Sequence, residues 1–229
     1  MTTIADRISI AQSRIHQAAQ KCARQQHDIA LLAVSKTKPV ADIIEAYEAG
    51  QRKFGENYVQ EGEQKIAELS EQYSDIEWHF IGPLQSNKSK IVAENFDWMH
   101  TVSRAKIATR LSEQRPATKA PLNVCIQVNV SNEQSKSGVA LTEVTELAEH
   151  ILQLDNLVLR GLMAIPTATD DAELQRQEFA ALHEAFKQLK AKYSQVDTLS
   201  MGMSNDLNIA IEQGSTMVRI GSAIFGKRN

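Results

Sequence analysis

Cysteine is scarce in this chain. Cys22 and Cys125 are the only two and lie far apart, which excludes a disulfide framework and the close spacing of a metal-ligand cluster. Reduced, buried thiols in a cytoplasmic protein are the simplest expectation. Long apolar stretches are also lacking: the longest, Ile29 to Val34, is far shorter than the ~20 residues that cross a bilayer. Asp6 and Arg7 fall where a secretory leader needs its apolar core, so none is expected. Nor is there a basic excess. With 25 Lys and Arg against 28 Asp and Glu, the formal charge is −3, which argues against a general nucleic-acid binder. The five prolines and ten glycines are scattered as punctuation, with no low-complexity tract or linker. What remains is ordinary in balance. The 229 residues are 42% apolar and 23% charged, enough for a sizeable core in one large domain or two small ones.

The pattern in that remainder is an alternation of short β-rich runs and helical stretches. Ile4, Ile8, Ala11, Ile15, Ala18 and Cys22 recur at spacings of three and four, predicting a helix within residues 1–26. Eight β-rich runs follow, at 29–36, 53–57, 77–82, 98–102, 122–130, 157–165, 198–203 and 216–225. Helical patterns near 39–50, 58–70, 86–96, 104–114, 141–154, 171–192 and 205–213 separate them, with Pro39 expected at the first helical position and Gly50 at the end of that helix. Strands alternating with helices imply parallel pairing. Eight such units suit an α/β fold of the closed (β/α)8 TIM-barrel type, one domain over 1–229 with the extra N-terminal helix packed on the barrel. The alternative, an open doubly wound sheet, usually carries a glycine-rich turn after its first strand, and SKTKP has no glycine.

In a barrel, function gathers where strands end. Lys36 closes the first run on the face of Leu32 and Val34. It either reaches solvent or sits in a dry barrel mouth, where a lowered pKa would let its amine form a Schiff base with an aldehyde. Arg219 lies inside the last run on the face of Met217 and Gly221, and needs either a salt-bridge partner or a ligand to receive its hydrogen bonds. Ser200, Gly202 and Ser204 belong to the stretch that ends the seventh run and enters a helix, and Gly221-Ser222 lies at the eighth, the two places where barrels often hold phosphate. Ser204 also reads as a plain N-cap. His79 reads as a satisfied core histidine or a ligand contact, and Asn57 as a helix cap or a ligand contact. The basic stretch Asn87-Lys88-Ser89-Lys90 decorates a helix start, and no metal-site pattern is present.

LLAVSKTKP (31–39), FGENYVQE (54–61), WHFIGPLQSNK (78–88), GLMAI (161–165), SMGMSNDLNIAI (200–211) and GSTMVRIGSAIFG (214–226) together resemble the pyridoxal 5′-phosphate (PLP) homeostasis proteins, in order and across almost the whole chain. The resemblance implies a barrel similar to the N-terminal domain of alanine racemase, the fold-type III class. It implies PLP held as a Schiff base on Lys36. Ser200, Gly221 and Ser222 would bind the phosphate with help from Gly202 and Ser204. Arg219 would face the pyridine nitrogen, and Asn57, His79 and Met163 would surround the ring.

Arg219, a permanent cation, would leave that nitrogen unprotonated and the cofactor a poorer electron sink. Racemisation further needs an acid/base on each face of the substrate. Racemases supply the second from a tyrosine of another domain, for which this chain is expected to have no room. Tyr47, Tyr58, Tyr73 and Tyr193 fall in predicted helices or loops. The expectation is therefore a non-catalytic, cytoplasmic, monomeric PLP holder that buffers or delivers the cofactor, with apo PLP-dependent enzymes as recipients and no nucleic-acid or membrane partner. The alternatives are an amino-acid racemase with a minimal active site and a scaffold for another phosphorylated metabolite.

Overall fold

The structure is a computed structural model describing residues 2–131, 133 and 136–226. The ends of the expected domain, residue 1 and residues 227–229, lie outside the described residues. Eight parallel strands close a barrel in chain order: β1 (Ala30–Val34), β2 (Lys53–Glu56), β3 (Glu77–Phe80), β4 (Trp98–Val102), β5 (Leu122–Gln127), β6 (Leu157–Met163), β7 (Thr198–Ser200) and β8 (Met217–Ile220). β8 pairs back onto β1, Arg219 opposite Leu32, which leaves no open edge.

A helix precedes β1 and others cross between the strands. They are α1 (Ile4–Lys21), α2 (Val40–Glu48), α3 (Val59–Leu69), α4 (Ser89–Asn95), α5 (Ala105–Gln114), α6 (Val144–Leu152), α7 (Ala172–Lys192), α8 (Leu207–Glu212) and, after β8, α9 (Ser222–Phe225). α1 forms as the spacing predicts. Thr3 and Asp6 make a capping box, and Ile4, Ile8, Ala11, Ile15 and Ala18 are buried. It ends at Lys21 and packs against α2, α8 and α9.

Alternation along each strand divides the core. Outward residues such as Phe54, Trp78, Phe80, Val218 and Ile220 join the helices in one large cluster. Inward residues make two separate small clusters, one of Leu32, Ile81 and Met217, the other of Trp98, Cys125 and Met163.

Several strands stop before the β-rich sequence does. β1 ends at Val34 rather than 36, β5 at Gln127 rather than 130, β6 at Met163 rather than 165, and β7 at Ser200 rather than 203. The chain leaves the ladder to build the barrel mouth while its apolar side chains, such as Met201, stay buried. The largest correction concerns 216–225. Strand β8 is only Met217–Ile220, and Ser222–Phe225 is helical, because Ile224 and Phe225 are buried on the helical side of the core. A short apolar run does not by itself distinguish strand from helix. Pro39 is the N-cap of α2, one residue outside its expected position, while Gly50 follows the helix end with φ +95°.

Candidate functional site

The cavity at the C-terminal mouth has a volume of about 360 Å3. Lys36, Asn57, Met163, Ser204, Arg219, Gly221 and Ser222 all line it, so the structure brings together seven of the residues singled out from sequence. His79, Ser200 and Gly202 do not line it. Ser200 is fully buried, its hydroxyl turned to His100 and Arg219. Gly202, at φ +96°, packs where a Cβ would meet that of Ala210 at 2.5 Å, so it permits the close turn from β7 onto α8. His79 is a satisfied core residue, bonded to Glu77 and His100 and stacked on Trp98.

Lys36 is half-buried, one residue before a strained turn in which Thr37 has φ +60°, unusual for a β-branched residue. Three charged side chains that sequence reasoning missed hold this turn. Lys65 is 5% exposed and gives all three of its N–H donors: to Ser35 O (2.8 Å), Glu56 Oε1 (2.8 Å) and Glu61 Oε1 (2.6 Å). Glu56 also accepts the Ser35 hydroxyl at 2.6 Å, and Glu61 accepts the Thr37 N–H at 2.5 Å. Burial raises the Glu56 pKa, an effect that the Lys65 charge and hydrogen bonds oppose. The residues on either side of Lys36 are thus tied to one buried ion cluster.

Arg219 enters from β8 and is 4% exposed. Its hydrogen bonds go to Ser200 O (2.7 Å), Ser200 Oγ (2.9 Å) and Ala164 O (2.9 Å). No carboxylate among the described residues lies within ion-pair distance of it. Burial pushes its pKa down to about 10, so it remains a cation at neutral pH. A guanidinium has five N–H groups, and these bonds leave others for a ligand.

Asn57 is not the cap of α3, which begins after Tyr58, and its buried Oδ1 has no partner. It is an acceptor on the cavity wall, as a ligand hydroxyl requires. Gly82, unnoticed in sequence, sets its position: a Cβ there would lie 2.0 Å from Asn57 O, so only glycine lets the two loops meet. Ser204 is likewise not a cap, since α8 starts after Asp206. The loops that carry Ser204, Gly221 and Ser222 are clamped from outside. Arg14 donates to Ser204 O (2.8 Å), Arg7 to Ile224 O (3.3 Å) and Arg24 to Ile211 O (2.9 Å), the role the extra N-terminal helix and its following turn play. Lys38, Met203 and Asp206 also line the cavity. Chain position was the only sequence signal for them.

At the opposite end of the interior, burial opposes ionisation of Glu77. The His79 hydrogen bond and the Lys53 charge outweigh it and bring its pKa from 4.5 down to about 2. A depressed carboxyl stabilises the fold above its unfolded pKa and loses that contribution as pH falls through the folded value. Stability is therefore expected to fall by about 1–2 kcal/mol between roughly pH 4.5 and 2, the full shift being discounted because the carboxyl is a third exposed. Urea unfolding across that range, wild type against Glu77→Gln, checks this: the substitution should flatten the dependence.

Among the described residues no three His, Cys, Asp or Glu are grouped to hold a metal, and no helix is long and apolar enough to cross a membrane.

The family model for the N-terminal domain of alanine racemase matches residues 10–229. A pyridoxal phosphate homeostasis protein of Vibrio alginolyticus is 58% identical over 100% of this chain and 99% of its own length. Its counterpart in Pasteurella multocida (strain Pm70) is 56% identical over 99% and 98%. The chain belongs to the pyridoxal phosphate homeostasis protein family. Among solved structures, PipY of Synechococcus elongatus PCC7942 with PLP bound superposes with a TM-score of 0.84 at 34% identity, covering 98% of this chain and 100% of that one. The closed eight-stranded barrel with an N-terminal helix that the sequence led us to expect is the fold this chain has.

Proposed function

We propose that this protein binds PLP in the mouth cavity and serves PLP homeostasis by buffering or delivering the cofactor, without turnover of its own. The observation that carries this reading is the convergence of Lys36, Arg219 and the unpartnered Asn57 Oδ1 on one cavity beside the start of α9. The donor set suits the group. A primary amine, a guanidinium with N–H groups to spare, a buried acceptor, and the hydroxyls of Ser204 and Ser222 match an aldehyde, a ring nitrogen, a ring hydroxyl and a phosphate in turn. The cavity volume falls within the ordinary range for a cofactor-sized ligand. PLP bound in PipY supports PLP as the ligand.

In this reading Ser204, Ser222 and the Gly221-Ser222 backbone hold the phosphate. Ser200 acts on the site through Arg219, and Met163 packs against the ring. PLP would supply an aldehyde able to condense with the Lys36 amine as a Schiff base, the carbonyl oxygen leaving as water, and hydrolysis or an incoming amine would reverse the link. Arg219 keeps a positive charge against the ring nitrogen, and the buried ion cluster around Lys65 holds the backbone on both sides of Lys36. A reversible link suits release to apo PLP-dependent enzymes. A cytoplasmic monomer fits this role.

Borohydride treatment of protein incubated with PLP, followed by peptide mass spectrometry, should place the reduced adduct on Lys36, and Lys36→Ala should lose both adduct and visible absorption. A wild-type protein that takes up no PLP refutes the reading. Sustained exchange of the alanine α-proton into deuterated water, lost in Lys36→Ala, would assign an amino-acid racemase instead.

A further inference from the structure

The barrel interior contains a chain of polar groups that the cavity itself does not explain. Lys53 Nζ and His79 Nε2 meet Glu77 Oε1 at 2.5 and 2.8 Å. His79 Nδ1 lies 2.8 Å from His100 Nε2, and His100 Nδ1 lies 2.9 Å from Ser200 Oγ. Ser200 Oγ then receives Arg219 Nη1 at 2.9 Å. His79, His100 and Ser200 are 0% exposed. The chain runs through an interior otherwise filled by two apolar clusters, where apolar side chains would pack at no desolvation cost.

Each proton in the chain can be assigned. The Glu77 carboxylate only accepts, so His79 Nε2 carries a hydrogen. Burial pushes the His79 pKa below its ordinary value despite Glu77, so its Nδ1 is a lone pair. That lone pair requires a hydrogen on His100 Nε2. Burial, with the Arg219 charge, holds the His100 pKa well below its ordinary value, so its Nδ1 accepts the Ser200 hydroxyl. Ser200 Oγ in turn accepts from Arg219. Every donor points toward Glu77. The reverse order would leave the Ser200 O–H without an acceptor, since Arg219 only donates.

We propose that His79 and His100 are positioning residues for Arg219. Each is held as the Nε2–H tautomer, and together they join the guanidinium through Ser200 to Glu77 at the far end of the barrel, fixing which Arg219 N–H groups face the cavity. The inference rests on the reading of that cavity as a PLP site. The Glu77 end lies at the start of β3 and the Arg219 end at the mouth, so a change at one end is felt at the other without contact with the ligand.

The test begins on the protein without PLP, by 15N NMR of the histidine rings. Both rings should be protonated at Nε2 alone in the wild type and in Glu77→Gln, which keeps an acceptor oxygen. Glu77→Leu should lose that single state and shift the Arg219 guanidinium signals. Any other tautomer in the wild type, or unmoved Arg219 signals in Glu77→Leu, overturns the proposal whatever the protein binds. In PLP titrations Glu77→Leu should bind about tenfold more weakly, the scale of one well-placed hydrogen bond. Lys53→Met, which breaks only the ion pair, and Glu77→Gln should stay within about twofold. Should Glu77→Leu fail to fold, Ser200→Ala cuts the same chain beside Arg219 and should weaken binding equally. Wild-type affinity in both of these variants overturns the coupling. A wild type that takes up no PLP refutes the proposed function instead and leaves the NMR result to decide the chain.

Discussion

Lys65→Met is expected to cost about 3–5 kcal/mol of folding stability and to abolish PLP uptake, although Lys65 does not line the cavity. The ammonium is buried between Glu56, which is fully buried, and Glu61, and it also donates to Ser35 O. Removing it leaves two carboxylates facing each other with no cation between them. Glu56 Oε2 already has no partner, so the cluster holds no spare donor to soften the loss. Breaking one member of a buried ion group is far more damaging than replacing the whole group, because the remaining charges stay desolvated. The site suffers as well. Glu61 is what holds the Thr37 N–H at φ +60°, and Ser35 is tied both to Glu56 and to Lys65. With both anchors loosened, the strained turn relaxes and carries Lys36 away from the cavity. Chemical denaturation and PLP absorption titrations on the same samples measure the two effects. A variant that folds with wild-type stability would show that the cluster does not hold the turn.

Arg219→Met, also a buried cation changed to Met, is expected to weaken PLP binding too but largely to spare folding stability. PLP affinity should fall about 10- to 100-fold, as for loss of a hydrogen bond from a charged donor. Stability should change by less than about 2 kcal/mol in either direction. Arg219 has no carboxylate within ion-pair distance among the described residues, so its removal orphans no charge. The Ala164 carbonyl loses a donor, at about 1–3 kcal/mol, whereas Ser200 O still accepts the Ala164 N–H at 3.2 Å. Against this, an uncompensated guanidinium no longer has to be held out of water, a penalty of several kcal/mol. The new thioether lies among interior side chains such as Met163 and Met217, which suit it. Parallel unfolding and binding curves separate the outcomes. A stability loss as large as that of Lys65→Met would mean that Arg219 is structural rather than kept for a ligand.

The contrast between these two cations marks how far the sequence could be read. Arg219 stood out because a charge inside a β-rich run is conspicuous from its neighbours alone. Lys65 did not, because on a helix surface a lysine four residues after Glu61 looks like an ordinary solvated pair. Only the packing of α3 against the ends of β1 and β2 buries it. His100 was legible in principle, since it sits inside β4 beside His79 of β3, but a lone strand histidine carries no direction. Ser200 was assigned to the phosphate from its place at a strand end, whereas β7 stops at Ser200 and turns its hydroxyl inward.

The sequence by itself determined the architecture: apolar periodicity switching between two and 3.6 residues forces eight strand–helix units, and those close into a barrel. It also singled out Lys36 and Asn57 at strand ends, Ser204 just past the seventh run, and Arg219, Gly221 and Ser222 in the last run, which the barrel gathers around one mouth. Its scarcity of cysteine fits the two free thiols of the structure, Cys125 fully buried and Cys22 partly so. Tertiary structure alone decided what supports those residues. The cluster of Lys65, Glu56 and Glu61 and the chain from Glu77 to Arg219 join groups many positions apart in sequence. Hydrogen bonds in a desolvated interior depend on ångström distances and on burial, and neither is encoded in the order of neighbouring residues.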